Sequence, residues 1–321
     1  MRYVRVGLFL CGVALLVGVV IDNGPETILA SIQQLSWRLA VVVCFPGVLV
    51  AVLDALGWRF AFDRDRVPFG RLFYARLAGE AFNLTTGGLG GEAVKVWLLR
   101  PRIPLADATS SVVVAKTTIT LAQVLFLLLG IALSWQMPSA SPLVLGLRVL
   151  LALEVIGLCV FMLAQTRGLF ARGGHLLRRI GLPVPSGLER IDDALIGFYR
   201  HRRYRLGLSV AFHFAAWLLG CVESYLILRF LGLPVSFLTA TVIETFGASI
   251  RFATFMIPAS VGAMEGGFAA IFATLGLGSP AGVAFTLVRR IREVSWIAAG
   301  LLAFLVMRQG EPARQEHRWT R

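Results

Sequence analysis

The chain has 321 residues, 57% of them hydrophobic and 15% charged. A water-soluble domain carries about a quarter of its residues as Asp, Glu, Lys or Arg, so this composition excludes a folded protein bathed in water on all sides. The charge is basic, with 31 Lys+Arg against 18 Asp+Glu. The basic residues lie between apolar runs rather than in one patch, which argues against nucleic acid and for topology signals and contacts with anionic lipid headgroups.

In chain order, Arg2 and Arg5 precede an apolar run from Val6 to Ile21. No small-residue cleavage site follows and similar runs recur downstream, so it reads as a first transmembrane helix and not as a leader. Further runs long enough to cross a bilayer are Leu39–Trp58, Ile103–Trp135, Pro142–Ala164, Leu206–Leu231 and Ala281–Met307. Two other apolar stretches are broken near their centres. Phe73–Leu99 is interrupted at Gly87, Gly88, Gly90 and Gly91, and Phe237–Leu277 at Pro258 and Gly262. Cys11, Cys44, Cys159 and Cys221 each fall in an apolar run without metal-type spacing and read as small packing residues.

Arginine placement sets the orientation. Arg59, Arg64, Arg66 and Arg71 follow the second run, Arg100 and Arg102 follow the first broken stretch, and nine arginines lie in the loop from Thr166 to Arg205. Together with both termini these belong to the cytoplasmic face. The loops Asp22–Ser36, Gln136–Ser141 and Gly232–Ser236 hold no basic residue and belong outside. Each broken stretch must then return to the face it left, either as a re-entrant helical hairpin or as a pair of short full crossings; halves of about a dozen residues favour the hairpin. The expectation is an all-α polytopic helix bundle of the cell inner membrane, about six full spans plus two re-entrant hairpins. Residues 1–307 form one membrane domain: 1–38 a first span and outer loop, 39–135 a first repeat, 142–205 a linking span and basic loop, 206–307 a second repeat. A cytoplasmic tail, 308–321, follows. In the basic loop, Ser186-Gly187-Leu188-Glu189 has the form of a capping box. The segment after it is either an interfacial helix or a packed linker helix.

The broken stretches resemble each other. Glu80-Ala81-Phe82-Asn83 parallels Glu244-Thr245-Phe246-Gly247, and Gly90-Gly91-Glu92 parallels Gly262-Ala263-Met264-Glu265. Each is followed by a span with a buried cation, Lys116 or Arg289. Span, hairpin and span in opposite orientation is the inverted-repeat plan of many transporters, with the site at the midplane.

Ionisable groups inside spans are costly and tend to pair and to mark function. Here the candidate substrate-binding set is Glu80, Glu92, Lys95, Lys116, Glu244, Arg251, Glu265, Arg289, Arg292 and Glu293. Helical spacing puts Arg289, Arg292 and Glu293 on one face and turns Arg290 away. The arginines read equally as a phosphate clamp or as structural partners of Glu244 or Glu265. The glycines before Glu92 suit close helix packing or an anion cradle at a helix N-terminus. His213 reads as a satisfied interior residue. No catalytic constellation, metal set or cofactor motif is visible, so an enzyme is not expected.

The run from Gly90 to Arg100, Gly-Gly-Glu-Ala-Val-Lys-Val-Trp-Leu-Leu-Arg, resembles the signature of the flippase-like membrane family that includes the transmembrane region of lysylphosphatidylglycerol synthases. The run Glu244–Gly267, followed by Arg289-Arg290-Ile291-Arg292-Glu293, is similar to the hopanoid-associated HpnL-like branch, from which Met264 and Ala259-Ser260 depart. The resemblance implies movement or presentation of a lipid-linked or polycyclic substrate, with membrane lipids and lipid-synthesis enzymes as partners. Lysyl-lipid synthases carry a soluble aminoacyl-transfer domain after the membrane part. The present chain ends about fourteen residues past the last apolar run, so that chemistry is not expected.

Overall fold

The computed structural model of the chain describes residues 13–33, 35–86, 90–135, 142–166, 196–254 and 257–309, and among these every regular element is helical. Among them are α1 (Val13–Asp22), α2 (Pro25–Gln33), α3 (Arg38–Phe60), α4 (Phe69–Thr86), α5 (Gly90–Leu99), α6 (Leu105–Ser134), α7 (Pro142–Thr166), α8 (Arg203–Phe230), α9 (Phe237–Ala253), α10 (Ala263–Thr274) and α11 (Ser279–Gln309); residues 196–201 are also helical, and Pro258–Ser260 form a short 3-10 turn. The start of the first apolar run, Gly87 and Gly88, most of the basic loop with its capping box, and the tail from 310 lie outside the described residues.

Among the described residues three helices, α3, α6 and α8, are long and apolar enough to cross a membrane, with mean hydropathies of 2.5, 2.1 and 1.5. Helices α7 and α11, with 25 and 31 residues, also have the length. The short elements differ. At 1.5 Å per residue the 10 residues of α5 rise about 15 Å, half of a hydrocarbon core of about 30 Å.

Two helices reverse the pattern of a soluble protein. On α7, Leu145, Val149, Leu153, Ile156, Val160 and Leu163 recur every three or four residues and are all exposed, while Glu154 on the same helix is fully buried. On α11, Val294, Leu301, Leu302 and Leu305 face outward while Glu293 is buried. Apolar faces turned outward with charged groups turned inward are what lipid as solvent selects.

Two apolar cores lie at opposite ends of the bundle. One gathers Val42 of α3, Leu127 of α6, Ile227 of α8 and Phe285 of α11. The other gathers Trp58 of α3, Val112 of α6, Leu206 of α8 and Met307 of α11. Each of these four helices therefore runs from one core to the other, α3 and α11 in one direction and α6 and α8 in the opposite one. The broken stretches do not. Leu72 near the start of α4 and Leu99 at the end of α5 share the second core, whereas Phe246 of α9 and Phe272 of α10 share the first.

Helix contacts fall into matched pairs. Helix α4 packs on α11 as α9 packs on α6, α3 on α4 as α8 on α9, and α5 on α6 as α10 on α11. Glycines permit the closest approaches. A Cβ on Gly91 of α5 would collide with the Gly79 carbonyl of α4, one on Gly300 of α11 with the Leu77 carbonyl of α4, and one on Gly130 of α6 with the Thr245 side chain of α9.

The loop between α3 and α4 is tied to the start of α8. Asp63 accepts from Arg202 at 2.5 Å, and Asp65 accepts from Arg59 at 2.7 Å and Arg205 at 2.6 Å. The hydrogen bond from Arg202 holds the Asp63 carboxyl below its ordinary range, and those from Arg59 and Arg205 do the same for Asp65.

Two outcomes follow from this packing. Replacing Gly91 by Ala overpacks the α4–α5 contact and costs about 1–3 kcal/mol. The same change at Gly146, where nothing lies within 4 Å, leaves the melting temperature of the purified protein unchanged. Because the two aspartates titrate lower when folded, their ties hold above the unfolded carboxyl range near pH 4 and are lost as pH falls through the depressed values. Hydrogen exchange in residues 61–68 should therefore rise selectively on acidification below about pH 4.

Candidate functional site

Between the two apolar cores lies a cavity of about 500 Å³. The middle third of three long helices supplies much of its wall: Lys116 and Gln123 of α6, His213 and Gly220 of α8, Arg289, Arg292 and Trp296 of α11. Helices α3, α4, α5 and α9 complete it with Asp54, Arg76, Glu92 and Glu244 among others. Six carboxylates (Asp54, Glu80, Glu92, Glu223, Glu244, Glu293) face the cavity together with six cations (Arg76, Lys95, Lys116, Arg251, Arg289, Arg292).

The α9–α11 side is closed by arginines. Arg289 donates to both oxygens of Glu244, at 2.5 and 3.0 Å, and Ser224 donates to the same carboxylate at 2.5 Å. Arg292 pairs with the buried Glu223 at 3.0 Å. Arg251 at the end of α9 donates to Glu293 of α11 at 2.8 Å. Arg290 reaches furthest. It donates to Glu265 at 2.8 Å, to Glu293 at 2.8 Å, and to the carbonyls of Ala259 and Ser260 at 2.8 and 3.3 Å. Those two residues sit at φ 52° and 50°, and Gly262 at 77°, a left-handed turn that costs non-glycine residues about 1–3 kcal/mol each. Glu265 also accepts from the Gly262 amide at 2.7 Å. The break in the second stretch is thus a turn clasped by one arginine and one carboxylate.

The α3–α6 side is looser. Asp54 pairs with Arg76 and, at 3.1 Å, with Nδ1 of His213, whose ring lies over Gly57 and whose Nε2 has no hydrogen-bond partner among the described residues. Lys95 donates to Glu92 at 3.1 and 3.3 Å. Asn83 of α4 bridges to α5, donating to Glu92 at 3.2 Å and accepting from the Gly91 amide at 2.9 Å. Glu154 lies behind the wall, and among the described residues its hydrogen-bond partners are neutral, Gln123 at 2.6 Å and Ser249 at 3.4 Å.

Of the residues expected from the sequence, Glu80, Glu92, Lys95, Lys116, Glu244, Arg251, Arg289, Arg292 and Glu293 line this one cavity. Glu265 does not; it is fully buried under the turn. The expectation that Arg290 turns away is corrected. Arg290 and Glu293 share a face at i, i+3, and α10 packs against that face, so α11 directs one arginine into the cavity and the next into the turn. Where the arginine cluster left a clamp and structural pairing open, Arg289 is paired with Glu244. Where the glycines left packing and an anion cradle open, the Gly91 amide is taken by Asn83 and its α carbon abuts Gly79. The sequence reading omitted Asp54 and Arg76, although a lone acid in the apolar run Leu39–Trp58 was itself a signal. Among the described residues no group of three or more His, Cys, Asp and Glu is arranged for a metal ion.

Removing one partner of a buried ion pair costs about 3–5 kcal/mol. Arg290→Ala should therefore lower the melting temperature strongly, because Glu265 loses its one ion-pair partner among the described residues and the Ala259 and Ser260 carbonyls lose the Arg290 donor. Glu265→Gln keeps an acceptor for the Gly262 amide and should cost less; a melting temperature of Arg290→Ala near wild type would show that the turn does not depend on Arg290.

Comparison with known proteins agrees with this architecture. A UPF0104 membrane protein of the archaeon Methanothermobacter thermautotrophicus is 24% identical over 286 residues, covering 80% of this chain and 79% of its own length. No solved structure matches the chain. Residues 4–305 match the family described as the lysylphosphatidylglycerol synthase TM region, and the chain, a multi-pass helical membrane protein, belongs to that family.

Proposed function

We propose that the protein is a lipid translocator, or an accessory to lipid transport, in the cell inner membrane with both termini cytoplasmic. The observation that carries this reading is the charged cavity at mid-bundle, walled by two broken helical stretches whose ends rest on opposite cores. A headgroup entering it would exchange water for fixed charges while its tails stay in lipid. The 10 and 12 residues of α5 and α10 support re-entrant hairpins over full crossings, and the matched helix contacts support an inverted repeat. Transport then proceeds by alternating exposure of the cavity, with one hairpin gating each face. Family membership supports a lipid as the substrate. The likeness of 244–293 to a hopanoid-associated branch supports a lipid-linked or polycyclic one.

A second reading rests on the His213–Asp54 contact at the cavity wall. A histidine oriented by a carboxylate is a general-base arrangement and would suit a membrane enzyme that modifies headgroups. Lipid analysis of a deletion strain separates the two: an intact but misplaced lipid belongs to transport, a missing species to chemistry.

Transport is tested by filling the cavity from Gly220, beside the Glu244–Arg289 pair. A Cβ on Gly220 would meet its nearest neighbour, Glu244, at 3.5 Å, an ordinary contact, so Gly220→Ala should keep the wild-type melting temperature and serve as the control. Gly220→Leu, which extends past Glu244 into the cavity, should reduce transbilayer movement of labelled lipid in liposomes to the protein-free level. Movement at the wild-type rate in this variant would remove the cavity from the route.

A further inference from the structure

The charges of the cavity do not pair off completely. Five of its six carboxylates are matched to five of its six cations: Asp54 to Arg76, Glu92 to Lys95, Glu223 to Arg292, Glu244 to Arg289 and Glu293 to Arg251. Glu80 and Lys116 remain. Glu80 lies in the field of Arg76, and Lys116 in that of Glu92. Yet among the described residues neither makes an ion pair or a hydrogen bond. Both line the main cavity of about 500 Å³, from which a headgroup can reach them, and a side niche of about 40 Å³ beside Trp58 and His213 that holds a water-sized group.

The other half of the chain shows what a closed version looks like. The sequence parallel aligns Glu80 with Glu244, and Lys116 occupies the place of Arg289 after its hairpin. Glu244 and Arg289 make a two-pronged ion pair; Glu80 and Lys116 leave a gap. Contrary to the expectation of a buried cation, Lys116 is exposed, and Glu80 is half-buried, so both side chains reach the open space of the cavity; unpartnered charges at such a place mark an ion or substrate path. An anion in the gap would satisfy Lys116 and leave Glu80 facing like charge, and a cation would do the reverse. A group carrying both charges satisfies both side chains and adds no net charge to a balanced interior.

We infer that the cavity selects a net-neutral, zwitterionic headgroup, with its ammonium at Glu80 and its phosphate or carboxylate at Lys116. This rests on the transport reading for how a lipid arrives, but the selectivity is a binding property and is measured separately.

The test uses the full-length chain and native mass spectrometry with phosphatidylethanolamine, phosphatidylglycerol and a cationic lipid. Free phosphoethanolamine serves as a soluble competitor. Wild type should retain phosphatidylethanolamine over both others. Glu80→Gln should shift the preference toward phosphatidylglycerol, and Lys116→Gln toward the cationic lipid. The double exchange, Glu80→Lys with Lys116→Glu, should restore phosphatidylethanolamine. Neither residue has a structural partner, so melting temperatures should stay near wild type in the single variants. Displacement by free phosphoethanolamine would assign the site to a soluble zwitterion, and its failure to a lipid; both agree with the charge pattern. A wild-type preference for phosphatidylglycerol overturns the inference, as does loss of phosphatidylethanolamine in the single variants without opposite shifts. If binding follows the prediction while liposomes show no lipid movement, the transport reading fails and the selectivity stands.

Discussion

The structure depends on bringing opposite charges together in a place that water does not solvate. Each ionised side chain taken into hydrocarbon carries a penalty of several kcal/mol, and a partner recovers it only at close range and with its remaining hydrogen-bonding positions filled. Arg290 meets that requirement fully: it is shared between Glu265, Glu293 and two backbone carbonyls. The same contacts make the turn at 258–262 tolerable, since irregular backbone at depth needs protein partners for its polar groups. Electrostatic pairing and backbone satisfaction are therefore one event, because Arg290 of α11 reaches the turn that precedes α10.

Much of this is legible in the sequence, because hydropathy and arginine placement are local signals. The runs that became α3, α6 and α8 announce themselves by length and composition. The broken stretches show up as apolar segments whose flanks agree in charge. The partners inside the bundle are harder to read. Arg76 meets Asp54 across 22 positions and Arg289 meets Glu244 across 45, separations at which no periodicity connects two residues. Helical spacing ranked the cluster at 289–293 as if only one side of α11 were interior. The helix is in fact enclosed on several sides, by α10, α4 and α3 among others, so Arg290 is inward too.

Glycine illustrates the same limit. A glycine-rich run before an apolar helix has the appearance of an anion cradle, and only the neighbour across the gap decides. At Gly91 that neighbour is Gly79, backbone against backbone, with Asn83 on the free amide. Seen from the chain alone, Asn83 is one polar residue among apolar ones; in the fold it joins α4 to α5.

The two halves share a contact plan but differ in how firmly their broken stretches are held. The turn before α10 is fixed by Arg290, which gives one charge-assisted hydrogen bond to each of Glu265 and Glu293, contacts about twice as strong as neutral ones, and these carboxylate acceptors are fully or nine-tenths buried. The α4–α5 stretch is held by an asparagine amide, by Arg71 on the Leu98 carbonyl and by glycine packing, while its lysine pair, Lys95 with Glu92, lies within α5. It also borders the niche where Glu80 and Lys116 stand apart. Freeing α10 from α11 means separating a buried arginine–carboxylate pair, whereas among the described residues freeing α5 from α4 breaks hydrogen bonds without separating an ion pair. The half with the open charges is thus also the half whose short helix is cheaper to move, and a doubly charged group in the cavity between Glu80 and Lys116 would act on the more yielding of the two.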